Sequence, residues 1–118
     1  MTTERPLVVL LVEDDDSIRE LTAMVLEDAG YIVHTARHGD AAEAWLKDGK
    51  ADLLFTDINM PGSITGRLLA TSHADMPVLV TSGESKEQHD WLPSGMEYLA
   101  KPYDRKSLLS ALKRLTTP

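Results

Sequence analysis

The chain has 118 residues, which suits one domain built around one hydrophobic core. Its net charge of −7 argues against direct nucleic-acid binding, because phosphate recognition needs a basic surface. It contains no cysteine, which excludes disulfides and cysteine-ligated metals. The apolar run at 7–12 is too short to span a bilayer, so we expect a cytoplasmic protein without membrane contact.

Apolar runs rich in branched residues alternate with segments of helical spacing along the whole chain. The runs predict strands at 7–12, 31–36, 52–56, 76–81 and 97–100. The helical spacing predicts helices at 17–29, 40–48, 66–72, 85–92 and 105–115. Gly30 and Gly49 are typical stops for the first two helices, and Asp15 or Asp16 and Asp104 are typical N-caps for the first and last.

This alternation predicts an α/β fold, a doubly wound five-stranded parallel sheet in the order 2-1-3-4-5 with right-handed crossovers. We expect a single domain over residues 1–118, with its core in 7–115 and no second domain after it. The helix at 85–92 is polar and is followed by Pro93 and Gly95, so we expect it to be short or irregular.

Polar side chains follow four of the predicted strands. Glu13 and Asp14 follow the first strand, Asp57 the third, Ser82 the fourth and Lys101 the fifth. Because the carboxyl ends of parallel strands lie at one edge of a sheet, we expect these side chains to converge there.

Three carboxylates at one edge would repel one another. At about 5 Å and an effective dielectric constant of about 20, each pair costs roughly 3 kcal/mol. Hard oxygen ligands with open positions favour Mg²⁺ or Mn²⁺ as the neutralising cation. The alternative is an acidic loop at 13–16 that faces water without a metal.

A carboxylate beside a divalent cation, an amine and a hydroxyl is typical of a phosphoryl acceptor. Asp57 would be the nucleophile that forms an acyl phosphate, and Lys101 would neutralise the transferring oxygens. The Ser82 hydroxyl would bind the product. A solvated surface lysine is the alternative for Lys101, although a cis bond to Pro102 would direct it inward.

Four short motifs carry a resemblance to a known family. They are Val12-Glu13-Asp14, the run from Asp57 through Ile58, Asn59 and Met60 to Pro61, Thr81-Ser82-Gly83, and Lys101-Pro102-Tyr103. In this order, each after an apolar strand, they resemble the receiver domain of bacterial two-component response regulators over residues 7–115. The resemblance implies the flavodoxin-like receiver fold and a function in a two-component system or phosphorelay.

The resemblance implies a role for each matching residue. Asp57 matches the aspartate that is phosphorylated, and Lys101 matches the lysine that contacts the phosphoryl group. Glu13, Asp14 and Asp57 match the magnesium ligands, with the backbone carbonyl of Asn59 completing the set.

The resemblance also implies a switch and partners. Ser82 and Tyr98 match the switch hydroxyl and the switch aromatic, and Asn59 and Glu84 match positions that tune dephosphorylation. The phosphoryl donor would be a histidine kinase or a phosphotransfer protein, and the output would go through an unidentified downstream protein. Such a domain is not an enzyme with a separate substrate.

Three features depart from the usual family pattern. The first acid is Glu13 where aspartate is usual. Gly66 follows Asp57 one residue later than is usual, so the loop between them carries an insertion. The segment from Ser82 to Tyr98 is short, which puts the usual output and dimer surface in doubt.

Other functions remain as alternatives. The fold could serve as a binding module without phosphorylation, or the chain could be a receiver cut from a larger response regulator or hybrid kinase. A phosphohydrolase of the haloacid dehalogenase type is disfavoured because Asn59 stands where its acid/base aspartate is needed. A flavodoxin is disfavoured because the acids at 13–16 would repel a cofactor phosphate.

Overall fold

The computed structural model describes residues 6–58, 65–73, 75–83 and 96–116. These ranges contain five strands and four helices, and a helix follows each strand except the fourth, after which residues 84–95 are not described. The strands are β1 (Val8–Val12), β2 (Ile32–Ala36), β3 (Leu53–Asp57), β4 (Val78–Ser82) and β5 (Glu97–Ala100). The helices are α1 (Asp16–Asp28), α2 (Gly39–Asp48), α3 (Gly66–Ser72) and α4 (Arg105–Thr116).

The strands form one parallel sheet in the order β2-β1-β3-β4-β5, which confirms the predicted fold class. The register aligns the carboxyl ends of the central strands, with Asp57 opposite Thr81 and Ser82 opposite Ala100. The polar residues that end these strands therefore share one edge of the sheet.

The central strands are apolar on both faces because each face is covered by helices. Alternate residues of β1 enter two separate cores. Leu10 and Val12 pack with residues of α2 and α3, whereas Val9 and Leu11 pack with residues of α1 and α4. This explains why the apolar run of β1 has no polar alternation.

Most helix ends follow the predicted signals. Asp15 caps α1 by accepting a hydrogen bond from the Ile18 N–H, and Gly30 follows that helix with a φ of 102°. Asp104 accepts from the Ser107 N–H at the start of α4. The start of α2 differs, because His38 Nδ1 accepts from the Ala41 N–H and the helix begins at residue 39. Histidine is not among the preferred N-cap residues, so sequence preference missed it.

The strand limits differ from the prediction by at most two residues, and those of β5 match it. The fourth strand begins after Pro77, and Asp57 and Ser82 are the last residues of their strands. The predicted helix at 85–92 and the loop insertion before Gly66 lie outside the described residues. Within the described part of the chain, no helix is long and apolar enough to cross a membrane.

Gly66 begins α3 in contact with the end of β3. A Cβ atom at this position would lie 1.7 Å from the carbonyl oxygen of Asp57 and 2.6 Å from the Cα of Ile58. Both neighbours are backbone atoms and cannot rotate away. The N-terminus of α3 can therefore reach Asp57 only because residue 66 has no side chain.

We expect Gly66→Ala to lower the free energy of unfolding by about 3 kcal/mol, because the new methyl must displace either α3 or the end of β3. Gly83→Ala is the matched control, since a Cβ at Gly83 meets nothing within 4 Å. Urea denaturation of both variants measures the difference. Equal stability of the two variants would contradict the close packing at Gly66.

Candidate functional site

The carboxyl edge of the sheet brings together the four charged residues predicted to converge there. Glu13 and Asp14 directly follow β1, Asp57 ends β3, and Lys101 directly follows β5. Glu13 and Asp57 are buried, whereas Asp14 is exposed at the rim. The site is therefore a shallow acidic pocket with one open side.

Lys101 forms an ion pair with each of the two buried carboxylates. Its Nζ donates to Asp57 Oδ2 at 2.7 Å and lies 2.8 Å from Glu13 Oε1. The side chain is only 19% exposed, so the solvated surface lysine is excluded. The bond between Lys101 and Pro102 is cis, the arrangement that would direct Lys101 inward.

The acidic loop after β1 is held by its own backbone. The Asp15 N–H donates to Glu13 Oε2 at 3.1 Å, so both carboxylate oxygens of Glu13 have partners. The Glu13 N–H in turn donates to the carbonyl oxygen of Ala36 at 3.0 Å. These bonds fix the direction in which the loop presents its carboxylates.

Burial and ion pairing act in opposite directions on the pKa of Glu13 and on the pKa of Lys101. Burial raises the pKa of Glu13, and the bonds from Lys101 and the Asp15 N–H oppose it only in part. Burial alone would lower the pKa of Lys101, but its bonds to Asp57 and Glu13 outweigh burial and raise that pKa. Lys101 therefore stays charged, while the negative charge on Glu13 is only partly compensated.

The donor set suits a hard divalent cation. One oxygen each of Glu13, Asp14 and Asp57 lies within 4.8 Å of the other two. Carboxylate oxygens in this number, with one side open to solvent, match the incomplete protein cages that Mg²⁺ and Mn²⁺ occupy. The residues present therefore fit the predicted metal.

Ser82 and Tyr98 contact each other beside the pocket. Ser82 is fully buried, and its Oγ lies 3.0 Å from the Tyr98 hydroxyl, within hydrogen-bond distance. The ring of Tyr98 is partly buried against the core beneath α2 and α3. The two predicted switch residues are therefore a bonded pair. Asn59 and Glu84 lie outside the described residues.

Two features of the site were missed by the sequence reasoning. Tyr103 packs its ring on Phe55, with centroids 5.8 Å apart, and its hydroxyl lies 2.8 Å from Thr22 Oγ1. Arg19 donates to the carbonyl oxygen of Glu13 and to Asp16, and with Arg37 it lowers the pKa of Asp16. An arginine one turn into α1 was the available signal for the second feature.

We expect Lys101→Met to lower the free energy of unfolding in EDTA by about 2–3 kcal/mol, because Glu13 and Asp57 lose their shared ammonium. This loss is smaller than the roughly 3–5 kcal/mol expected when a fully buried ion pair is broken, because Lys101 keeps some contact with water. Lys113→Met, at an exposed position of α4, should cost less than about 1 kcal/mol. Equal losses in urea denaturation would contradict the ion pairs.

Comparison with known proteins places this chain in a family. The model of the response regulator receiver domain matches residues 9–113. The structure of chemotaxis response regulator CheY4 of Vibrio cholerae is 31% identical, with a TM-score of 0.82, and the match covers 93% of this chain and 98% of that one. The response regulator TrrA of Thermotoga maritima, solved in complex with Mg²⁺-BeF, is 30% identical, with a TM-score of 0.78 and coverage of 92% and 97%.

Curated relatives are longer than this chain. The phosphate regulon transcriptional regulatory protein PhoB of Pseudomonas aeruginosa is 33% identical over an alignment of 113 residues, and the match covers 89% of this chain and 49% of that protein. The chain spans about half or less of the length of the curated relatives it matches. The family match and the shared fold agree over nearly the whole chain. The chain belongs to the response regulator receiver domain family of two-component signalling.

Proposed function

We propose that this receiver domain accepts a phosphoryl group on Asp57 in a reaction that depends on Mg²⁺ or Mn²⁺, and that it signals through protein contacts. The observation that carries the proposal is the Asp57 carboxylate at the end of β3, bonded to Lys101 and within 4.8 Å of oxygens of Glu13 and Asp14. Lys101, together with a divalent cation held by these carboxylates, would balance the negative oxygens of a phosphoryl group.

In the proposed transfer, a carboxylate oxygen of Asp57 attacks the phosphorus of a phosphohistidine. The P–N bond breaks, the imidazole leaves with its electron pair, and an acyl phosphate forms on Asp57. Lys101 already lies beside this carboxylate and neutralises charge on the transferring oxygens. No separate substrate is turned over, because the product stays on the protein.

Glu13, Asp14 and Asp57 would hold the metal ion, and the backbone carbonyl of Asn59 remains a predicted fourth ligand. When bound, a divalent cation supplies positive charge for the phosphoryl oxygens. The raised pKa of Glu13 supports this assignment, because a carboxylate that is only partly compensated by Lys101 gains from a second cation. The Mg²⁺-BeF complex of the related TrrA supports it as well.

Ser82 and Tyr98 would report the modification. Rotation of the Ser82 side chain toward a phosphoryl group on Asp57 would weaken its 3.0 Å contact with Tyr98. Phosphorylation would therefore change the Tyr98 side chain, and a downstream protein would bind that changed surface. The tuning of dephosphorylation by Asn59 and Glu84, the domain limits at 1–118 and the cytoplasmic location remain predictions.

The outer face of α1 is the proposed docking surface for the donor. Leu21 and Met24 are each 64% exposed there. A groove of about 420 Å³ runs from Leu21 to Lys101 and Pro102, so a partner seated on α1 reaches the edge of the acidic pocket. The exposed acids of this face, Glu20, Glu27 and Asp28, suit a histidine kinase or phosphotransfer protein with an apolar patch and a basic rim.

Asp57→Asn should abolish labelling by acetyl phosphate while the protein stays folded, because the amide keeps the shape of the carboxylate and loses the nucleophile. Intact mass spectrometry with Mg²⁺ and with EDTA measures the gain of one phosphoryl group. Asp48→Asn, at the exposed end of α2, is the control and should label normally. Full labelling of Asp57→Asn would remove Asp57 as the acceptor, and no labelling of the wild type would favour the unphosphorylated binding module.

Leu21→Glu and Met24→Glu should each slow phosphoryl transfer from a phosphohistidine donor protein by about tenfold or more, because a charge enters the apolar contact. Labelling by acetyl phosphate should not change, since the acidic pocket is untouched. Leu68→Glu, at a position 49% exposed on α3, is the matched control. The transfer rate is measured by quenching the reaction at successive times. A similar loss of rate in all three variants would argue against docking on α1.

A further inference from the structure

Arg19 is a charged residue that α1 holds close to the acidic pocket. Its side chain is 12% exposed, whereas that of Arg37, which reaches the same Asp16 carboxylate, is 68% exposed. Enclosing an arginine to this degree costs free energy unless its donors are bonded. The hydrogen bonds of Arg19 therefore identify the groups whose positions it fixes.

The guanidinium of Arg19 connects the two ends of the acidic loop. Nη1 donates to the carbonyl oxygen of Glu13 at 3.0 Å, and Nη2 donates to Asp16 Oδ1 at 2.5 Å. The N–H of Glu13 is bonded from the opposite side by the carbonyl oxygen of Ala36. The backbone of Glu13 is thus fixed at both its N–H and its carbonyl, and the carbonyl belongs to the peptide unit that leads into Asp14.

We propose that Arg19 is a positioning residue for the divalent cation, and that it holds the peptide between Glu13 and Asp14 so that both carboxylates face the same point. The proposal rests on the metal site proposed above. Arginine suits this role because its planar fork donates to a carbonyl and a carboxylate at once. Among the described residues, Arg37 is hydrogen-bonded to Asp16 alone, so it serves as a natural control.

Loss of Arg19 should change the affinity for Mg²⁺ in one direction through its charge and in the other through its role in positioning the ligands. Removing a positive charge near the pocket should by itself strengthen the binding of a cation. Releasing the Glu13 carbonyl should weaken it, because residues that orient metal ligands typically contribute tenfold or more to metal affinity. Weaker Mg²⁺ binding after loss of Arg19 therefore cannot come from its charge.

The experiment compares Arg19→Met and Arg37→Met with the wild type. The Mg²⁺ midpoint is measured from the rise in melting temperature with Mg²⁺ concentration, with no phosphodonor present. We expect Arg19→Met to raise this midpoint roughly tenfold, and Arg37→Met to leave it unchanged or slightly lower. At saturating Mg²⁺, the rate of labelling by acetyl phosphate should return close to the wild-type rate in both variants.

An unchanged or lower Mg²⁺ midpoint in Arg19→Met, beside a normal wild-type response, would overturn the role of Arg19 and leave the metal site standing. A wild type that Mg²⁺ does not stabilise would overturn both. If Arg19→Met does not fold, Arg19→Lys replaces it. A lysine keeps the charge but not the fork, so its midpoint should also rise, and a wild-type midpoint would overturn the proposal.

Discussion

The ammonium of Lys101 between Glu13 and Asp57 is the interaction on which the rest of the site depends. A parallel sheet forces the ends of its strands to one edge, and in this chain three of the four charged residues delivered there are carboxylates. The Lys101 ammonium, at 2.7 Å from Asp57 and 2.8 Å from Glu13, offsets the repulsion between these two carboxylates. Because this compensation of charge is partial, the residues present fit a further cation, which the proposed phosphoryl transfer requires.

The fold was largely predictable because its signals are local. Runs such as 7–12 are apolar without alternation, which is typical of strands covered on both faces, and glycines or aspartates mark most helix ends. The strand order followed from five alternating units and the handedness of their connections. The start of α2 was not predictable in the same way, since His38 caps it through a ring nitrogen rather than one of the usual hydroxyl, carboxylate or amide side chains.

The charged residues of the site were also predictable, because each lies at the carboxyl end of a strand or within two residues after it, but their pairing was not. Sequence order shows that Lys101 and Glu13 share an edge, not that they form an ion pair, since this depends on the path of the chain after β5. The contact of Ser82 with Tyr98 and the hydrogen bond from Arg19 to the Glu13 carbonyl depend in the same way on side-chain directions. Position along a strand is encoded locally, whereas contact across strands is set by packing.

The sheet divides the neighbours of Asp57 between two sides. Lys101 lines a groove with Leu21 and Thr22 of α1, whereas Tyr98 packs with core residues of α2 and α3. A donor that docks on α1, as proposed, would leave the Tyr98 side uncovered. Phosphoryl transfer and readout would then use separate surfaces, so a downstream protein could bind before the donor leaves, and the lifetime of the donor complex would not limit the response.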